Sequence, residues 1–146
     1  QMIANPSIFS FWQGSWTSIA QEILSLVQSG MRLRTPLDWG NHKESWSRLH
    51  EALETDNPEW GLLAAWGILE NQAELVFGDK LRPMWSGRTD SILKETISHI
   101  EMDSSEAKKL RSTTKKRNSV AHGSPTNVDW TDVDIVLSAA YRLHRS

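Results

Sequence analysis

Between Pro58 and Phe77 the chain carries Trp60, Leu62, Leu63, Ala64, Ala65, Trp66, Ile68, Leu69, Ala73, Leu75, Val76 and Phe77. That is too many apolar residues for one stripe of a helix. At about 100° per residue they cover nearly the whole circumference, and a helix apolar all round is stable in water only with neighbours on several sides. Pro58 suits the first turn, where its missing N–H is no loss, and Gly78 suits the position just past the end. Glu59, Glu70 and Glu74 make the stretch too polar and too short for the roughly 20-residue apolar run that a bilayer span needs. The chain is therefore expected to be all-α, a bundle of about five to six helices with a central buried helix near 58–77. No strand-like alternation and no internal repeat stands against this.

The neighbours that such a helix needs can be placed from capping and periodicity. Residues 1–14 read as an irregular N-terminal lead-in, with Phe9, Phe11 and Trp12 able to pack back on the body, and residues 15–146 as a single helical domain. Ser15 caps a first helix to about Ser29, and a connector with Thr35-Pro36 and Gly40 follows. Asn41 with Glu44 forms a capping-box pattern opening a helix to about Thr55, with Trp46, Leu49, His50 and Leu53 inward. Gly78 to about Arg88 is a loop in which Lys80, Arg82 and Arg88 alternate with Leu81, Met84 and Trp85. Such a mixture either grips single-stranded RNA or plugs the core with its tryptophan. Thr89 or Asp90 begins the next helix, with Ile92, Leu93, Thr96, Ile97 and Ile100 on one side. Asp103 with Glu106 opens another, running to about His122 and ended by Gly123 and Pro125. Last, Trp130 and Ile135 can staple a helix around a Thr131 cap, with Val133, Val136, Leu137, Ala140 and His144 inward.

A length of 146 residues is enough for a real core without covalent staples. The absence of cysteine removes disulfides and thiolate metal sites, makes a reducing compartment the natural home and points to the cytoplasm. The N-terminus shows no basic region leading into an apolar run, and Gln1 ahead of Met2 suggests a piece of a longer protein. Net charge is −2, which alone gives no general affinity for nucleic acid. Its distribution is uneven. Lys108, Lys109, Arg111, Lys115, Lys116 and Arg117 hold six of the sixteen basic residues within ten positions, and no acidic residue occurs between Glu106 and Asp129. The rest of the chain sets ten basic residues against all eighteen acidic ones. An acidic body with one basic strip is the pattern of a local phosphate-binding surface, and also of a solvated helix face.

The strip runs into Arg117-Asn118-Ser119-Val120-Ala121-His122-Gly123. On a helix Asn118 and His122 stand one above the other, beside Arg111 and Lys115, while Arg117 lies about 140° round from His122. Arg117 shares its side with Leu110, Thr113, Val120 and Ala121, so it projects from the apolar stripe and needs a carboxylate, a phosphate or a partner subunit. Glu70 and Asn71, polar residues within the apolar helix, are the candidates to meet it, since a guanidinium is best matched by a planar acceptor. The other possibility is that they face solvent.

This string resembles the R-x(4–6)-H signature of HEPN-domain ribonucleases, helical proteins common in toxin–antitoxin and anti-phage systems. The likeness in residues covers positions 117 to 123; beyond them it lies in helix order and length. It implies a motif late in a bundle of four or five helices, two protomers sharing one cleft, and RNA cleavage without metal or other cofactor, leaving a 2′,3′-cyclic phosphate and a 5′-hydroxyl. An antitoxin or a sensor domain is an implied further partner. Some members carry a tyrosine two residues after the motif histidine as a modification site; here that residue is Ser124.

The chemistry is reasonable for these residue types. Cleavage through the 2′-hydroxyl needs a group titrating near neutrality to move protons and a cation to steady charge on the phosphorane. His122 is expected to act as general base or acid, Arg117 to bind the scissile phosphate or orient the site, and Asn118 to hold the imidazole or the ribose hydroxyl. Lys108, Arg111, Lys115 and Lys116 would bind the RNA backbone. One histidine per motif makes a homodimer the way to obtain both acid and base. His42, His50, His99 and His144 lie singly, with no histidine four residues away; His50 with Glu54 is the nearest to a metal pair. The alternative is a catalytically inactive helical module for dimerisation or RNA binding.

Overall fold

The computed structural model describes residues 43–83 and 86–146. The expected lead-in, the 15–29 helix, the connector, the Asn41 cap, His42 and the Met84–Trp85 part of the loop lie outside the described residues, as does the side chain of Trp46. The described chain forms five α-helices: α1 (Lys43–Glu54), α2 (Pro58–Phe77), α3 (Arg88–His99), α4 (Ser104–Ala121) and α5 (Trp130–Arg145). A short 3₁₀ turn (Gly78–Lys80) follows α2, and there is no strand among the described residues. No helix among them is long and apolar enough to cross a membrane.

Helix α2 is the centre of the bundle, packing against each of the other four, most extensively against α5 and α1. Asn57 caps it by accepting from the Trp60 amide at 3.2 Å, with Pro58 in the first turn. Gly78 ends it with φ 53° and ψ −117°, a backbone that side chains avoid. Leu62, Ala65, Ile68, Leu69 and Ala73 are fully enclosed. The all-round apolar surface is not buried everywhere, however: Trp60, Leu75 and Val76 are exposed near the two ends. The remaining core comes from Leu49 and Leu53 of α1, Ile92 and Leu93 of α3, Leu110 of α4, and Val133, Val136, Leu137 and Ala140 of α5.

Two boundaries differ from the sequence expectation. Helix α5 is capped by Asp129, not Thr131. The Asp129 carboxylate accepts from the Asp132 amide at 3.2 Å and the Asp132 carboxylate accepts from the Asp129 amide at 3.0 Å, a reciprocal box made with aspartate at both places. The helix also presents Leu143 to the core and leaves His144 exposed, because burial follows the stripe Val133, Val136, Leu137, Ala140 into Leu143. Helix α3 starts at Arg88, slightly earlier than expected.

Gly61 of α2 lies close against Trp130 and Val133 of α5. A Cβ there would stand 2.7 Å from Cζ3 of Trp130, whose indole N–H is fixed by donating to Asp56 at 2.9 Å. Helix propensity alone makes Gly→Ala worth about 1 kcal/mol of stabilisation. Overpacking against a tethered ring opposes it at about 1–3 kcal/mol. We expect Gly61→Ala to lower the denaturant midpoint, with Trp130→Leu in the same chain restoring part of the loss. A raised midpoint for the single variant would show that the two helices can separate freely.

Candidate functional site

Helix α4 carries the motif, and its placement is set by local sequence. The Asp103–Glu106 capping box opens it: the Asp103 carboxylate accepts from the Glu106 amide at 2.8 Å and the Glu106 carboxylate accepts from the Asp103 amide at 3.1 Å. Arg142 of α5 donates to the second Glu106 oxygen at 3.0 Å and to the Ile100 carbonyl at 2.8 Å, tying the start of α4 to α5. His122 is the C-cap residue, and Gly123 follows with φ 73°. Leu110, Thr113 and Thr114 are buried, which sets the helix rotation.

That rotation divides the motif. Arg117 points inward, half-buried, with its guanidinium carbon 4.5 Å from the centre of the Trp66 ring. Its Nη2 donates to the Thr89 hydroxyl at 3.2 Å, while Nε is shut off from solvent with no acceptor among the described residues. Burial holds its pKa below the usual arginine range, and the negative charge of Glu70 opposes that shift. A guanidinium over an indole contributes about 0.5–2 kcal/mol depending on desolvation.

Glu70 faces the same cavity but does not hydrogen-bond to Arg117. It accepts from Arg88 Nε at 3.0 Å. Arg88 also donates to Glu74 and to the Arg82 carbonyl, the latter at 3.1 Å. Glu70 and Glu74, one turn apart on α2, thus both engage Arg88, a residue expected in the loop and found at the start of α3. Asn71 is half-buried and does not line the cavity. The cavity itself, about 120 Å³, is walled by Trp66, Glu70, Arg88, Thr89 and Arg117. Trp66 was legible only as core. The available signal was its position one turn before Glu70, which sets ring and carboxylate on one face of α2.

On the other side of α4, Lys108, Arg111 and Lys115 are exposed and line one depression with Ser104, Ala107 and Ser112. Helical spacing continues this face through half-buried Asn118 to exposed His122. The His122 side chain has no hydrogen-bond or ion-pair partner among the described residues. Lys116 does not belong to this face. Its ammonium donates to Asp132 of α5 at 3.1 and 3.3 Å, and Asp132, itself buried, also accepts from the Thr113 hydroxyl at 3.2 Å. Lys116 links α4 to α5, away from the face of Lys108, Arg111 and Lys115.

The remaining histidines are dispersed. His50 is half-buried in α1, and burial lowers its proton affinity against the opposing charge of Glu54. His99 is exposed, sharing a 3.0 Å hydrogen bond with Ser146 and standing edge-on to Phe77. No group of three or more His, Asp or Glu side chains able to hold a metal is assembled among the described residues. Compared with family models, with curated proteins and with solved structures, the chain finds no match in any of the three.

Proposed function

We propose that this chain is a metal-independent endoribonuclease of the HEPN type, serving a toxin–antitoxin or anti-phage defence system in the cytoplasm, and acting as a homodimer. The observation that supports the reading best is the face of α4 on which Lys108, Arg111 and Lys115 lead to Asn118 and His122. Cations spaced along a helix suit successive backbone phosphates, and an imidazole at the end of the row, open to solvent, suits proton transfer to or from a ribose hydroxyl. Asn118, one turn before it, orients the hydroxyl or the ring.

Arg117 serves this site by orientation. Its contacts with Trp66 and Thr89 fix the last two turns of α4 against α2 and α3, and so fix where Asn118 and His122 stand. A second histidine from the partner subunit would complete the acid–base pair. A non-catalytic helical module that binds RNA or dimerises is the second reading, favoured by the separation of Arg117 and His122 onto different sides of the helix.

The test is cleavage of end-labelled single-stranded RNA in excess EDTA, with assay of the products for a cyclic phosphate. Cutting with such ends is expected. In the same assay Lys108→Ala with Lys115→Ala should weaken binding and flatten its salt dependence by a log–log slope of about 0.7 per lost phosphate contact. Binding without cutting, with the same salt response, would select the inactive module.

A further inference from the structure

A cavity lies beside Arg117, between α2, α3 and α4. Three charged side chains line it, Arg88, Arg117 and Glu70, and with Glu74, which also pairs with Arg88, the two arginines and two glutamates balance. Glu70 is neutralised by Arg88 at 3.0 Å, and Arg88 is drawn further by Glu74. Arg117 is left as a half-buried cation with no ion-pair partner among the described residues. Of its five N–H groups, a single bond, from Nη2 to Thr89, is made among them. The Thr89 hydroxyl spends its oxygen accepting that bond, which leaves its hydrogen to donate, with no acceptor for it among the described residues.

A half-buried cation whose Nε is closed off from solvent with no acceptor among the described residues, beside a hydroxyl with a hydrogen to donate, suits an anionic acceptor. The space, about 120 Å³ and open to solvent, has room for a tetrahedral oxyanion with its substituent outside. It lies on the opposite side of α4 from the exposed cations, so a phosphate here is not the one placed before His122.

We propose that the Arg117–Thr89 cavity binds a terminal phosphate group, a phosphate monoester whose remaining substituent leads out of the cavity. Arg117 supplies the charge, Thr89 donates its hydroxyl hydrogen, and Trp66 holds the guanidinium plane in place. Arg88 keeps Glu70 from repelling the anion. The choice of a nucleic-acid end as the source of that phosphate rests on the reading of the outer face as RNA-binding; the oxyanion site itself does not.

The experiment is calorimetric titration of the full chain with inorganic phosphate, against sodium chloride at equal ionic strength. One saturable site is expected, weakened at least tenfold in Arg117→Met and severalfold in Thr89→Val. Should Arg117→Met fail to fold, Thr89→Val decides, since it removes the hydroxyl and keeps the shape. A second arm compares one oligoribonucleotide bearing a terminal phosphate with the same strand ending in hydroxyls, using His122→Ala protein so that nothing is cut. The phosphorylated strand should bind severalfold more tightly, and Thr89→Val should erase the difference. Heats indistinguishable from chloride, or phosphate binding unchanged in both variants, would overturn the site. Phosphate binding that needs Thr89 with no preference for phosphorylated ends would overturn the nucleic-acid assignment and leave the free ion as ligand. RNA cleavage without phosphate binding sinks this site alone, and phosphate binding without cleavage sinks the nuclease reading alone.

Discussion

His122→Ala is expected to reduce RNA cleavage by about 10²–10⁴-fold while changing RNA affinity little. Under the nuclease reading the imidazole acts on a proton in flight, so its loss raises the barrier without removing a phosphate contact. The structure makes the substitution a clean one. His122 is exposed at the C-cap of α4, and its side chain has no bonded partner among the described residues to leave stranded. Its backbone N–H, which donates to the Asn118 carbonyl at 3.1 Å, survives in alanine. The variant should therefore melt with the parent chain, and single-turnover cleavage separates the chemical step from binding. Normal cleavage by His122→Ala would move the activity, if any, to another part of the molecule. A large fall in melting temperature would mean that His122 makes a contact outside the described residues.

Much of the fold follows from local chemistry that a sequence carries openly. The 58–77 helix begins and ends where Pro58 and Gly78 require, and its apolar circumference demanded the neighbours that α1, α3, α4 and α5 supply. The Asp103–Glu106 box is equally local, a pair three residues apart that closes on itself. The Asp129–Asp132 box is less legible because aspartate, a methylene shorter than glutamate, is an uncommon residue for the return bond, and Thr131 offers a rival cap.

The candidate site was legible in outline and misread in its pairings. The apolar stripe of α4 showed that Arg117 had to be met by something. What meets it is the Trp66 face and the Thr89 hydroxyl, because Arg88 takes both Glu70 and Glu74. Two arginines of the same chemistry compete for one carboxylate, and only the approach of α3 to α2 decides between them. Lys116 shows the same limit. Charge and spacing placed it with Lys115, yet neighbouring residues on a helix point about 100° apart, and that turn takes Lys116 to α5.

That misplacement leads to the second large effect, on stability. Lys116→Met should destabilise the chain by about 2–3 kcal/mol, lowering the melting temperature by roughly 10 °C. Removing the ammonium leaves the Asp132 carboxylate buried, with the Thr113 hydroxyl and the Asp129 amide as its remaining partners. Breaking a buried pair from one side typically costs about 3–5 kcal/mol. The figure here is set lower because the Lys116 side chain keeps 34% of its exposure, so water already shares its solvation. Methionine retains the apolar stem, which isolates the charge. Adding Asp132→Asn should recover most of the loss, since the amide oxygen can still accept from the Asp129 amide while the stranded charge is gone. RNA binding by Lys116→Met, measured well below its melting temperature, should match the parent chain, whereas Lys108→Ala with Lys115→Ala weakens it. If Lys116→Met instead melts normally and loses RNA affinity, its ammonium leaves Asp132 to meet phosphate, and the basic face of α4 is wider by one residue.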